Sequence, residues 1–293
     1  MTLLRFRKAL DITSIPGDWT LVRLTVDWAG CPLLLYAEGK PPQPDFHTDS
    51  DAWSAWYRTP PRAHHVVYQE ADRLQSVAFD ESSGLSTFHV QRFQEGWLVG
   101  ERRGGRTTIY DKRGAIRSTL DLGDASEDLQ TTADGLIWVS YFDEGVFGGG
   151  IGQQGLVCFN SAGDPVFKYA EFAERSDLPM ICDCYAMNVD QTGGVWINYY
   201  TDFPLVRLSN FRLEQVWNSF GVLGKTFAVR GEQVIHIRQD HLAIGSLIES
   251  LSSEPVFVQA SDEHEITIRY ADVAARGSTL AINTSDAVYT LLD

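Results

Sequence analysis

Three short runs in this sequence have residue types that could bind an ion or a phosphate, and each fails on spacing. Asp45, His47, Asp49 and Asp51 alternate like the first ligands of a helix–loop–helix calcium site, but Ser50 stands where the turning glycine belongs and Trp56 where a bidentate glutamate should close the shell. Gly150, Gly152 and Gly155 spell G-x-G-x-x-G. A phosphate cradle needs that run to open a helix, so that backbone N–H groups face the anion; here the strand-like LVCF follows, and a flexible loop is expected instead. Cys182 and Cys184 could put two thiols on one side of a strand, yet Cys31 and Cys158 form no matching pair and no closing histidine motif lies nearby, so buried, inert thiols are expected. His64, His65, His89, His236 and His241 are scattered, none beside an evident nucleophile, and neither G-x-S-x-G nor H-E-x-x-H occurs.

Composition narrows the classes of partner. The 293 residues carry 24 Lys and Arg against 39 Asp and Glu, a formal net charge of −15, which opposes broad attraction to nucleic-acid phosphates or anionic lipid. At 44% hydrophobic the chain can build a large core. Its apolar runs, such as residues 31–37 and 156–159, have strand length rather than membrane-spanning length. The first ten residues mix basic and apolar side chains without a cleavage pattern, and four scattered cysteines make no disulfide framework, so a reduced, cytoplasmic protein is the expectation.

Whatever does chemistry must be held by a repeat. GWLVGE at 96–101 recurs as GLIWVSY at 135–141 and GVWINYY at 194–200, with weaker copies QVIHI at 233–237, STLAIN at 278–283 and PLLLY at 32–36. Before each copy comes another extended segment: LVRLTVDW from Leu21, FHVQRF from Phe88, LQTTAD from Leu129, YAMNVD from Tyr185, TFAVRG from Thr226 and IRYADVAA from Ile268. After three of them a strand, a polar turn and another strand follow, at 107–120, 156–169 and 204–217, and read as hairpins. One four-stranded sheet cannot cover both its faces, whereas six set radially cover one another. The expected fold is therefore all-β, a six-bladed β-propeller of four-stranded antiparallel blades forming one domain over residues 1–293. The last unit supplies three strands and LLRFRKAL at 3–10 has no unit of its own, so the N-terminal strand is expected to close the ring as the outermost strand of the last blade.

The D-G-x-[IV]-W pattern of Asp134 to Trp138, its G-G-V-W variant from Gly193 to Trp196 and the Asn160-Ser-Ala-Gly163 turn resemble the six-bladed propeller group of senescence-marker/gluconolactonase-like and NHL-repeat proteins and, with one more blade, streptogramin lyases. The resemblance is architectural and extends over most of the chain. In metal-dependent propellers of the gluconolactonase type, oxygen ligands at the beginnings of inner strands converge on one divalent ion. Aligned by repeat, that resemblance implies Glu127 and Asp128 in blade three and Asp183 in blade four as ligands for Ca²⁺ or Mg²⁺.

The same architecture puts the loops between strands two and three, and those between blades, on one face around the central channel. Two insertions fall there, residues 38–62 and 143–155. The first bears Trp53, Trp56 and Tyr57 between prolines, as a recognition loop or a packed lid would. Aromatic strand ends Tyr141, Phe142, Tyr199 and Tyr200 should join it. Two functions follow from these residues. One is a noncatalytic module that needs no cofactor and holds a protein, peptide or small-molecule ligand on that face. The other is a divalent-metal-dependent hydrolase or lyase built on Glu127, Asp128 and Asp183.

Overall fold

Six sheets form the molecule, and their inner strands contact one another in a closed cycle. The structure, a computed structural model, describes residues 3–39, 63–79, 87–218, 221, 223–238, 241–248, 254–255, 257–260, 266 and 273–292. Blade 1 comprises Thr20–Val26, Pro32–Ala37, His64–Glu70 and Arg73–Ala78; blade 2, Thr87–Phe93, Gly96–Glu101, Arg106–Asp111 and Ile116–Asp121. Blade 3 comprises Ser126–Thr131, Ile137–Tyr141, Leu156–Phe159 and Pro165–Lys168; blade 4, Asp183–Val189, Val195–Tyr200, Leu205–Ser209 and Arg212–Trp217. Blade 5 is Phe227–Arg230, Gln233–Arg238, His241–Ser246 and the two-residue Glu254–Pro255.

Blade 6 closes the ring. Val273–Arg276, Thr279–Asn283 and Ala287–Leu291 are followed by Leu3–Asp11, which pairs antiparallel with Ala287–Leu291 from Phe6 opposite Leu291 to Asp11 opposite Ala287. The N-terminal strand is fourth, as expected, but it is not outermost. Phe257–Ala260 lies outside it in parallel register, Leu3 opposite Phe257, so the chain leaving blade 5 adds a fifth strand to blade 6 before entering it.

Burial follows position within the blade. Every residue of the second strand Pro32–Ala37 is buried, because a strand in the middle of a blade is covered on both faces by neighbouring blades. The outer strand Ile116–Asp121 is almost wholly exposed. A separate apolar cluster fills each of the six gaps; Leu98 and Ile109 of blade 2 meet Ile137, Val139 and Tyr141 of blade 3 in one of them.

The turns that begin at Asp27, Asp111, Asn160 and Asp190 are chemically alike. At Asp111–Gly114 the Gly114 N–H donates to the Asp111 carbonyl at 3.1 Å, while the Asp111 carboxylate accepts from the N–H groups of Arg113 and Ala115. Asn160 does the same for Ala162 and Asp164, and Asp27 and Asp190 for their own turns. The fourth residue must adopt a positive φ, +90° at Gly114, and a Cβ there would collide with the Ala78 carbonyl of blade 1. These turns are what make the repeat visible in sequence.

Among the described residues, two helices interrupt the pattern. Residues 143–155, expected as a flexible loop, instead form a helix at Asp143–Gly148 and a tighter turn at Gly150–Gln154. The strand Leu156–Phe159 then follows, so the glycine run leads into a strand and does not open an α-helix. A second helix, Tyr169–Ser176, buries Tyr169 and Ala173 between blades 3 and 4. Among the described residues, no helix is long and apolar enough to cross a membrane.

Candidate functional site at the channel mouth

The starts of the inner strands and the loops beside them gather Arg23, Arg102, Glu127, Asp128, Asp183 and Lys225 at one end of the channel. Their local geometry comes from bulges: register shifts fall between Leu21 and Arg23, between Thr87 and His89, between Ser126 and Asp128, and between Asp183 and Ala186. An ideal strand sends neighbouring side chains to opposite faces, whereas a bulge turns adjacent residues toward one side. Arg23, Phe88, Glu127 and Asp128 thereby all line a cavity of about 260 Å³ in the upper channel.

The charges are paired. Arg23 Nη2 donates to Asp128 Oδ1 at 2.6 Å, Lys225 Nζ lies 2.6 Å from Glu127 Oε1, and Arg102 closes on Glu127 Oε2. Asp128 also accepts from the Leu129 N–H at 2.9 Å and from Gln130 Nε2 at 2.8 Å. Phe88 lies under two guanidinium groups, with its ring centroid 4.5 Å from Arg23 and 5.3 Å from Arg102. Asp183 stands apart: burial, with Asp143 and Glu127 nearby, raises its pKa against the opposing pull of Lys225 and Arg102.

Buried His89 bridges Arg23 and Ser126, with Nδ1 3.3 Å from Arg23 Nη1 and Nε2 2.9 Å from Ser126 Oγ. A guanidinium can only donate, so Nδ1 is the acceptor and the proton sits on Nε2, facing the serine. Burial and the positive charges of Arg23 and Arg102 hold the imidazole's pKa well below its usual value, so the ring is neutral. In this tautomer His89 donates to Ser126 and has no lone pair with which to take its proton. The pair has the composition of a nucleophile and its base but the wrong polarity for that role.

The opposite end of the channel is closed by polar cross-links. Arg276, 2% exposed, donates to the Val189 carbonyl at 3.0 Å, to Gln91 Oε1 at 2.9 Å and to the Thr131 carbonyl, joining blade 6 to blades 4, 2 and 3. Gln91 reaches Thr25 at 2.9 Å, and Asn188 donates to the Phe227 and Gly277 carbonyls at 2.7 and 3.1 Å. These cross-links lie at the other end of the inner strands from the charges of the mouth.

The residues expected from sequence are distributed unevenly. Glu127 and Asp128 are together at the mouth, with Asp183 close enough to feel Glu127. Each carboxylate oxygen of Glu127 and Asp128 already accepts from a cation, an amide or a backbone N–H, so a divalent ion bound there would meet the positive charges of Arg23, Arg102 and Lys225. No group of three or more His, Cys, Asp or Glu is arranged to hold a metal among the described residues. Trp53, Trp56 and Tyr57 lie outside the described residues.

Of the aromatic strand ends, Tyr141 and Tyr199 are fully buried and face the core, not a ligand. Tyr141 shares its side of the strand with Ile137 and Val139, and its hydroxyl donates to the Leu122 carbonyl. Tyr199 pairs its hydroxyl with that of Tyr169 at 2.7 Å and donates to the Pro179 carbonyl at 3.1 Å. Phe142, half-buried, lies beneath Arg102 and Arg103 at 4.8 and 5.0 Å, and Tyr200, 48% exposed, packs on Phe203. All four cysteines are free; burial pushes the Cys184 thiol far above its usual pKa.

Arg23, Arg102, Lys225 and His89 as a mouth residue escaped the sequence reading, which looked for acidic ligands. The available signal was position: Arg23 and His89 lie near the starts of their inner strands, Lys225 just before one, and Arg102 just past the end of Gly96–Glu101.

Fold and site define a six-bladed β-propeller with a charged channel mouth. A family model, the YxzG family, matches residues 156–291, and no curated protein matches. Among solved structures the chain is similar to virginiamycin B lyase from Staphylococcus aureus. A catalytically inactive variant of that enzyme with quinupristin superposes with a TM-score of 0.53 at 12% identity, covering 98% of this chain and 99% of that one. Its selenomethionine-substituted form gives 0.51 at 11% identity, covering 98% of each chain. A gluconolactonase from Xanthomonas campestris superposes more loosely, with a TM-score of 0.44 at 12% identity over 98% of this chain and 96% of that one. At these identities the likeness is one of fold.

Proposed function

We propose that this protein is a noncatalytic binding propeller whose channel mouth holds a small molecule. The observation that carries the reading is the cavity of about 260 Å³ in the channel, lined by the oriented charges of Arg23, Glu127, Asp128 and Lys225. It is slightly smaller than the ~300 Å³ at which drug-sized pockets begin, so a fragment-sized ligand suits it. The orientation of His89 argues for holding rather than turning over, because the buried serine beside it receives a proton instead of giving one up.

The metal-dependent hydrolase or lyase has one observation in its favour. Asp143 and Glu127 both repel the charge on Asp183, and a bound Ca²⁺ or Mg²⁺ would relieve that repulsion. The fold likeness to a lyase is compatible with either reading.

A chemically varied fragment collection, screened by ligand-observed NMR against the wild type and Thr226→Phe, tests the proposal. Thr226 lines the cavity and is partly exposed, so the phenyl ring fills space without altering charge. Fragments that bind the wild type and are lost from the folded variant support the reading. Binding indifferent to Thr226→Phe refutes it, and saturable stabilisation by Ca²⁺ or Mg²⁺ that Asp183→Asn abolishes replaces it with the metal reading.

A further inference from the structure

We infer that the ligand of the channel mouth is a small carboxylate with a short apolar body, anchored by Arg23. The inference rests on the small-molecule reading of this cavity and adds the ligand's chemistry.

The first argument is an inventory of hydrogen-bonding capacity. The two carboxylates that line the cavity are engaged, Glu127 by Arg102 and Lys225, Asp128 by Arg23, Gln130 and the Leu129 N–H, and Asp183, the third carboxylate at the mouth, does not line it. Donor capacity remains. Of the five N–H groups of the Arg23 guanidinium, Nη1 serves His89 and the Glu127 carbonyl, and Nη2 serves Asp128. The Nε–H and a second Nη2–H have no partner among the described residues. These donors sit on two nitrogens of one carbon, a spacing matched by the two oxygens of a carboxylate.

The second argument is the local field. Arg23 and Arg102 both lie against the Phe88 ring, and both act on His89 in the direction that removes its proton. Each guanidinium pairs with one carboxylate, Arg23 with Asp128 and Arg102 with Glu127, so an added anion is favoured at the N–H groups of Arg23 that this pairing leaves over. The third argument is the remaining wall. Val22, Leu24, Ile237, Val273 and Ala275 line the cavity beside the uncharged Thr25, Gln130 and Thr226, a lining that a short apolar body fits better than a second charged group does.

The test measures binding of isovalerate and phenylacetate, their primary amides and isoamylamine by titration calorimetry. It uses the wild type, Arg23→Gln, Arg23→Lys and Thr226→Phe, each checked by its melting curve. The carboxylates should bind about tenfold or more tightly than the amides and the amine. Arg23→Gln should erase that preference, Arg23→Lys should keep part of it, and Thr226→Phe should abolish binding of every probe. Because Arg23 also holds Asp128 and His89, Arg23→Lys supplies the comparison if Arg23→Gln does not fold. Amides or amine binding as tightly as the carboxylates overturns the carboxylate inference and leaves the pocket standing. Silence of the whole panel also overturns it, with the wider fragment screen then judging the pocket. Carboxylate binding unaffected by Thr226→Phe overturns the pocket reading itself.

Discussion

Replacing Arg276 by Met should destabilise the ring out of proportion to one side chain. The guanidinium is 2% exposed and serves three acceptors on three other blades, the Val189 carbonyl, the Thr131 carbonyl and Gln91 Oε1. Met matches much of its volume but leaves all three acceptors in place without a donor. Each buried orphan costs about 1–3 kcal/mol, so the gross loss is about 3–9 kcal/mol. Against this stands the relief of no longer burying a cation, which amounts to several kcal/mol. Burial already weakens that cation's hold on its proton, lowering its pKa to about 10, still high enough to keep it charged at neutral pH. The orphan term should win, because the acceptors lie in the closed end of the channel where water is scarce, leaving a net loss of about 2–4 kcal/mol.

For a chain of this size about 2 °C is lost per kcal/mol, so Tm should fall by about 4–8 °C. Arg276→Lys, which keeps the charge but loses the fork, should fall between the two. Thermal unfolding followed by near-ultraviolet circular dichroism, with urea titration for free energy, gives both numbers. A Met variant as stable as the wild type, or more stable, would refute the claim that these three bonds clamp the ring.

Three further outcomes are expected. Phe6→Ala should cost about 3–5 kcal/mol in urea unfolding, since Phe6 is fully buried in the closing strand, and a loss below about 1 kcal/mol would mean that the N-terminal strand does not hold the ring. His89, buried and neutral with its folded pKa below the unfolded value near 6.5, makes the unfolded state bind the extra proton, so stability should fall as pH drops below about 6.5, by up to about 1.4 kcal/mol per unit. Urea titrations near pH 7 and pH 5 should show a smaller drop for His89→Gln than for the wild type; equal drops would contradict the buried, neutral ring. Asp183, whose folded pKa is raised, contributes stability at low pH that is lost as pH climbs through that value, so Asp183→Asn should stabilise at neutral pH by less than about 1 kcal/mol, the group being partly exposed. Destabilisation there by calorimetry would mean that Asp183 has a cationic partner instead.

From its sequence alone this protein is a ring of six repeated sheets, because the two features that build each blade are local. Second strands covered on both faces are mostly apolar, as in the buried run Pro32–Ala37, and a recurring turn sets its Asp or Asn and its Gly at a fixed spacing, as at Asp111–Gly114. The closing role of the N-terminal strand was equally legible, since an unpartnered strand-like segment and a three-stranded last unit complete each other. The parallel strand Phe257–Ala260 was not, because a short segment between two blades has no pattern that selects one edge over another.

The site belongs to tertiary structure. Arg23 meets Asp128 across 105 residues and Arg276 meets Gln91 across 185, each from a different blade, so no local window contains either pair. Glu127 and Asp128 could be placed at the mouth by counting from strand starts, but their engagement by Arg102, Lys225 and Arg23 depends on bulges that turn adjacent side chains the same way. The same counting put Tyr141 and Tyr199 at the ligand face, whereas strand parity sends both into the core with Val139 and Ile197. Composition and turn chemistry thus determine that a propeller forms. Which charges meet at its axis is decided only when separate strand ends, distant along the chain, are brought within hydrogen-bonding distance by closure of the ring.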